Sequence, residues 1–423
     1  MLRGFTVVVA LEGQWRLHDQ PVLHQARALL RRHQGGRLVL LATRAEGQRL
    51  RGPHQRKLHH DALRALDART NALGIPLLCF PELTTAAALK VVAPLLQPDA
   101  VLYGEQSRLF ADWPASKAKF PRVFGEFRRL IQGAPEPPLP ELEISGLANE
   151  LVSELVNELE PWSAGDLRGL RELSMGPPAT PPASDRGPNR GDPRSAFPFR
   201  GDEASALARL QHYVFDTDGL KTYKASRNGL VGSEFSSKFS PFLANGSLSV
   251  RRIWQALEVH QASFGPSEGC DWMRQELLWR EFFLWSEQAH GEAFHSESGI
   301  QGRTPTANPD RELFRRWTRA ECGHGLIDAQ MRELNATGYL SNRGRQWVAS
   351  HFVNSLQLPW TWGARYFEWM LIDADPALNT GNWAYLAGVG SDPRSFGGQP
   401  RRFDLERQVQ RYDPNRCHMQ LWR

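Results

Sequence analysis

Between Asp328 and Tyr385 the chain inserts cations, carboxylates, amides and indoles into an otherwise apolar helical pattern. Asn342, Arg345 and Gln346 recur at i, i+3 and i+4, so they share one helical face. Asp373, Asp375, Asn379 and Trp383 follow at the end of the next helix. A plain core has no use for so many polar groups, because each one must be hydrogen-bonded if buried. Upstream, Glu276, Trp279 and Arg280 also stand at i, i+3 and i+4. A surface ion pair beside a packed indole fits the same spacing. The run Ser236, Ser237, Lys238, Phe239, Ser240 precedes a helical stretch beginning near Pro241. Hydroxyls, a cation and free N–H groups at a helix start make an anion site suited to a pyrophosphate. A serine in that place also serves as an ordinary cap.

The elements that must hold these groups fall into two domains. Apolar runs at Phe5–Leu11, Leu38–Ala42, Ile75–Phe80 and Ala100–Tyr103 read as buried strands. Amphipathic stretches at His18–His33, His54–Leu73 and Thr84–Leu96 separate them. That alternation predicts a doubly wound α/β domain with a parallel sheet over residues 1–131. No Gly-x-Gly-x-x-Gly follows the first strand, so a Rossmann-type dinucleotide site is not expected there. Residues 132–198 are dense in proline and glycine and predict an extended interdomain linker, with Leu142–Leu159 as its one helical candidate. Residues 199–423 predict an all-α domain. Its helices are expected at Asp202–Phe215, Ser249–Gln261, Cys270–His290, Pro309–Arg319, Gly325–Thr337, Arg343–Leu356 and Ala364–Ala374. Trp254, Trp272, Trp285, Trp347 and Trp369 read as packing residues of that domain.

A length of 423 residues is enough for two sizeable cores. The net charge of +5, from 51 basic and 46 acidic side chains, suits a polyanionic partner without identifying one. Cys79, Cys270, Cys322 and Cys417 form no Cys-x-x-Cys pair, so neither a disulfide framework nor a zinc site is expected. The first apolar run is too short for a signal peptide, and no run has the length of a membrane span. A cytoplasmic protein is the expectation.

Further motifs keep the same order along the second half: Thr222–Gly229, Ser236–Ser249, Gln275–Phe283, Tyr412-Asp-Pro414 and Trp422. Together with Asp328–Arg345 and Leu371–Tyr385 they resemble the C-terminal domain of the DNA photolyase and cryptochrome family, in particular its DASH-type cryptochromes. The resemblance implies FAD. It implies that Ser236–Ser240 wraps the flavin diphosphate with Tyr223 at a phosphate, and that Arg280 lies by the flavin. It sets Asp373, Asp375 and Asn379 around the ring and ribityl chain, with Asn379 against flavin N5 and Arg345 paired with Asp373. Glu276, Trp279 and Tyr385 would face a bound lesion, with Arg227, Asn342 and Gln346 also at the DNA and Asn342 near the cofactor. Trp383 beside the flavin, Trp360 between and Trp317 near the surface would form an electron-transfer chain.

The N-terminal match is thinner. Of the family's opening motif only Arg16-Leu-His-Asp19 is retained, and Val123–Arg129 resembles the segment closing the domain. Glu105 or Gln106 falls where relatives contact a folate antenna, methenyltetrahydrofolate. Lys224, Arg227, Arg343, Arg394, Arg401 and Arg402 are candidate phosphate contacts. The resemblance implies a monomeric, light-dependent enzyme that repairs cyclobutane pyrimidine dimers, with single-stranded DNA as substrate. The rivals are a blue-light receptor without repair activity and a flavin-binding relative with altered nucleic-acid specificity.

Overall fold

The strand Thr6–Ala10 (β1) is buried at every position, which a sheet covered on only one face does not allow. In the computed structural model it pairs in parallel with Arg37–Arg44 (β2) on one side and Ala100–Tyr103 (β4) on the other. Leu77–Thr84 (β3) extends the sheet beyond β2, giving the order β3-β2-β1-β4. Residues 4–45, 51–110, 120–132, 154–174, 191–217, 219–394 and 401–423 are described. Alternate side chains feed two separate cores. Val7 and Val9 join Leu38 and Leu40 on one face, whereas Val8 and Ala10 join Val39 and Leu41 on the other. Helices Pro21–Arg32 (α1) and Pro53–Ala72 (α2) cover the first face, and Thr85–Leu96 (α3) the second. Helix Phe124–Ile131 (α4) leaves the sheet and packs on the helical domain.

The segment expected as extended linker is partly built into this domain. Ala164–Leu173 (α5) starts at Ser163, whose hydroxyl accepts from Asp166 N at 3.1 Å. It buries Leu170 in the core of the second face. Trp162 donates to Leu38 O at 3.3 Å, and Leu159 bridges to Gly36. The proline and glycine pattern missed this because one cap and one buried leucine are enough to dock a short helix. The densest Pro/Gly stretches, and Leu142–Ser153 of the helical candidate, lie outside the described residues.

The all-α part comprises Glu203–Gln211 (α6), Gly219–Ser226 (α7), Ser240–Ala244 (α8), Val250–Phe264 (α9), Glu268–His290 (α10) and Glu292–His295 (α11). It continues through Arg311–Thr318 (α12), Gly325–Thr337 (α13), Asn342–Asn354 (α14), Trp360–Met370 (α15), Pro376–Ala387 (α16), Leu405–Tyr412 (α17) and Cys417–Leu421 (α18). A single π-helical turn, His212–Asp216, follows α6. One helix boundary moves in a way that matters. Ala364–Ala374 was expected as a helix carrying Asp373 at its end, but α15 stops at Met370. Asp375 precedes Pro376, and a residue before proline is driven out of the helical region. It instead caps α16, its Oδ1 accepting from Leu378 N at 3.2 Å. Asp373 and Asp375 therefore sit on a short connection, and Asn379 and Trp383 on a helix of their own.

The retained Arg16–Asp19 motif joins the two domains. Arg16 is wholly buried and donates to Gly246 O at 2.9 Å. Burial lowers its guanidinium to about 10. Glu203, the first residue of α6, accepts from Leu17 N, His18 N, His18 Nδ1 and Arg69. Burial pushes the Glu203 carboxyl up, but these donors outweigh it and hold the group at about 2, below its ordinary 4.5. The unfolded chain thus binds the extra proton. This contribution to stability is complete above about 4.5 and is lost as pH falls toward about 2. Glu203→Gln should cost roughly 2–3 kcal/mol at neutral pH, since it strips a buried carboxylate from its donors. Urea unfolding at neutral and acid pH reads this, and the variant should show a flatter acid limb. An unchanged acid limb would remove Glu203 from the account.

Candidate functional site

Two helices form the walls of the site because one residue lacks a side chain. A Cβ on Gly381 of α16 would lie 2.2 Å from the Phe283 ring on α10, so only glycine lets the helices close to this distance. From α10 come Glu276, Trp279 and Arg280; from α16 come Asn379, Trp383 and Tyr385. Helix α14 supplies Arg345, whose Nη2 reaches both oxygens of the buried Asp373 at 2.9 and 2.8 Å. The expected pair is thus in place. The Asn379 amide nitrogen donates to Ala364 O at 2.7 Å, and its oxygen stays available as an acceptor.

The floor comes from the other domain. After β4, Gln106 donates to Asp375 Oδ2 at 2.8 Å, and Ser107 O accepts from Arg280 at 2.9 Å. Leu109 N donates to Glu281 at 3.0 Å. Between them Arg108 lies over the Trp285 ring, with Nη1 buried and without a hydrogen-bond partner. Burial lowers its guanidinium, against Glu281 and Asp375 among others. Gln106, weighed from the sequence as an antenna contact, is spent on Asp375. Glu105 is exposed. Ser107 and Arg108 had no sequence signal, and Glu281 lay in the Gln275–Phe283 motif with no role of its own, because their roles arise from contacts more than a hundred residues away.

The Ser236–Ser240 loop is held from behind by Arg209, which takes the carbonyls of Ser233, Ser236 and Ser237 at 3.0–3.3 Å. Those carbonyls are thereby engaged from one side, and the Ser236 hydroxyl is hydrogen-bonded to Tyr339, so the expected anion site would rest on the loop's N–H groups and the other hydroxyls. The lysine behaves differently from expectation. Lys238 has φ +61°, is 2% exposed, and its ammonium donates inward to Tyr339 at 3.0 Å. Burial holds it well below its usual value, with Glu333 opposing. Its charge is therefore not part of the anion site. Tyr223 is buried on α7, its hydroxyl pushed up by burial.

The residues expected to face a base are partly occupied. Glu276 is hydrogen-bonded to Arg227, and burial raises its carboxyl against that cation. Trp279 was expected to offer a free stacking face, but Phe124 of α4 stacks on it at 3.8 Å and 11°. Tyr385 meets its edge at 6.3 Å. Asn342 is exposed at the start of α14, and Gln346 accepts from Arg343 at 3.1 Å.

Around this opening the cations gather. Burial lowers the Arg343 guanidinium; Tyr412 opposes the shift, while Arg401, Arg227 and Arg411 add to it. Three of the six expected phosphate contacts thus cluster with Arg411, which the sequence did not single out. Lys224 and Arg227 share the Trp272 ring, but each is paired with a carboxylate, Glu268 and Glu276. Arg394 is paired with Asp392, and Arg402 is exposed. Among the described residues no carboxylate pairs with Arg343, Arg401 or Arg411.

Trp383 is buried beneath α15, where a Cβ on Gly363 would lie 2.3 Å from its ring. It meets Phe367 at 5.1 Å and Phe352 at 5.5 Å, and both meet Trp317, at 6.1 and 4.6 Å. Trp317 was expected near the surface. It is instead wholly buried and its indole N–H has no partner, because Phe314, Phe352, Tyr366 and Phe367 close over it. Half-buried Tyr366 and Trp362 are the outward rings of this cluster. Trp360 is buried and gives its N–H to Glu297 O at 2.9 Å.

A family model described as the FAD-binding domain of DNA photolyase matches residues 272–422. A Cryptochrome DASH from Idiomarina loihiensis is 46% identical over 224 residues, covering 53% of this chain and 49% of the relative. A Cryptochrome DASH from Gloeobacter violaceus is 35% identical over 333 residues, covering 78% of this chain and 61% of the relative. The chain spans about half the length of the first relative and under two thirds of the second. The crystal structure of a Synechocystis cryptochrome superposes with a TM-score of 0.77 at 28% identity, covering 100% of this chain and 89% of that one. The chain belongs to the DNA photolyase and cryptochrome family.

FAD is the cofactor of the photolyase domain so matched, and the residues present fit it. The loop backed by Arg209 would present N–H donors to a diphosphate, and Arg108 brings a buried N–H that lacks a partner. Arg345, paired with Asp373, and Arg280, bonded to Ser107 O, would supply positive charge, and Asn379 an acceptor. Among the described residues no group of three or more His, Cys, Asp or Glu could hold a metal, and no helix is long and apolar enough to cross a membrane. Replacing Arg345 with alanine leaves Asp373 buried without its cation. The loss should be roughly 2–3 kcal/mol, less than for a fully buried pair because Arg345 is about a quarter exposed. Purified Arg345→Ala should carry at least about tenfold less flavin per protein, read from its visible absorbance. Full flavin loading with unchanged melting would remove the pair from the cradle.

Proposed function

We propose that this protein is a DASH-type photolyase that uses blue light to split cyclobutane pyrimidine dimers in single-stranded DNA. The observation that carries the reading is the sharing of two helices between both halves of the site. Arg280 and Glu276 are one turn apart on α10, and Asn379 and Tyr385 share α16, so cofactor and base sit within a helical turn or two of each other. Bound reduced FAD would supply the light-driven electron that opens the dimer and would take it back, leaving two pyrimidines and no net oxidation. The chain's own part is positioning. Arg343, Arg401 and Arg411 draw in the phosphate backbone, and Glu276 and Tyr385 receive an extruded base edge. Single-stranded DNA fits the small number of unpaired cations, because an unpaired base costs less to extrude. Exposed Glu105 is the remaining contact for a folate antenna.

A second reading, a blue-light receptor without repair, is favoured by the closed pairs Glu276–Arg227 and Trp279–Phe124. Photoreduced protein given a single-stranded oligonucleotide bearing a thymine dimer should restore the thymines under blue light, and Glu276→Ala should slow this roughly tenfold or more. Intact photoreduction with no restored thymine would favour the receptor.

Photoreduction itself tests the tryptophans. Trp383→Phe should retain flavin and lose at least about tenfold in the rate of flavin bleaching under blue light, if its oxidation is what fills the excited flavin. Undiminished bleaching would exclude this indole as the donor.

A further inference from the structure

A groove of about 250 Å³ opens between α6, its π-helical turn and α9, away from the flavin cradle. Leu207, Phe215, Ala256 and Val259 make it apolar, and Arg252, Gln255 and Gln211 are its polar lining. Arg252 is 7% exposed, and burial lowers its guanidinium. Its Nη1 donates only to the neutral Gln255 Oε1 at 2.8 Å, and its Nε is buried with no partner. The nearest carboxylate, Asp19, cannot serve it. Arg251 holds both Asp19 oxygens, at 3.1 and 2.6 Å, and Ser249 donates to one of them. A buried guanidinium without a counter-ion is costly, and an anion that enters the groove removes that cost.

We propose that this groove binds a small monocarboxylic acid with an apolar body, its carboxylate on the guanidinium of Arg252. A carboxylate matches the guanidinium fork with two oxygens, whereas a phosphate dianion would leave a second charge facing apolar walls. The size is right for a bicyclic ring or a medium-length alkyl chain, since a cavity of about 150 Å³ already holds benzene. The π-helical turn widens α6 where Phe215 lines the groove, and such turns recur at binding sites. Asp216, tied to Gln211 at the mouth, is exposed and screened by solvent.

The test uses the full-length, FAD-loaded protein and equilibrium dialysis with 2-naphthoate, with 2-naphthalenemethanol as the uncharged counterpart. Saturable binding of one naphthoate is expected, at least about tenfold tighter than the alcohol, with a similar loss in Arg252→Gln. Ala256→Trp fills the groove without touching the charge and should abolish binding of both. No saturable binding, equal binding by Arg252→Gln, equal binding by Ala256→Trp, or release of flavin as naphthoate binds would each overturn the proposal. If Arg252→Gln fails to fold, Ala256→Trp alone decides it.

Discussion

The contact between α10 and α16 sets the dimensions of everything around it. With a methyl group at residue 381 the Phe283 ring would have to move by more than an ångström, and the two helices would part. Trp279 and Tyr385, which meet across the two helices, would then part as well. One absent side chain thus fixes both the cofactor side and the opening side. The same logic recurs at Gly363, where the lack of a side chain brings α15 down onto Trp383.

The site also depends on the joining of the two domains. Gln106, Ser107 and Leu109 reach from the sheet domain to Asp375, Arg280 and Glu281. Phe124 arrives from the same domain to cover Trp279. Around these contacts, Arg16 and Glu203 stitch the first loop of the sheet domain to the helical one. Because both groups are buried and saturated with partners, loosening them leaves unsatisfied charge, which couples domain docking to the shape of the pocket.

Electrostatics within the helical domain are divided by burial. Lys238 looks like a phosphate ligand in the chain order but points inward to Tyr339, while Arg209, which has no motif around it, holds the loop expected to face an anion. At the opening, half of the expected cations are neutralised by carboxylates, and the uncompensated charge lies with Arg343, Arg401 and Arg411.

Strand positions were legible because apolar runs of this kind favour a covered sheet, and each of β1–β4 overlaps its run, although β2 and β3 continue to Arg44 and Thr84 and β4, expected to be buried, leaves Tyr103 exposed. Most helices were legible from their period, and the pairing of Arg345 with Asp373 from the resemblance of motifs. The break between α15 and α16 was written in Asp375-Pro376 and was overlooked in favour of the apolar period. What no local pattern carries is burial and direction. Trp317 is enclosed by rings from two other helices as well as its own, Trp279 is capped by a residue 155 positions earlier, and Gln106 meets Asp375 across 269. Periodicity states which face a residue occupies, but not what that face meets, since that is decided only when distant segments compete for the same space. The chain alone therefore determined the elements and the chemistry they carry, and the tertiary packing decided which of those groups remain free to act.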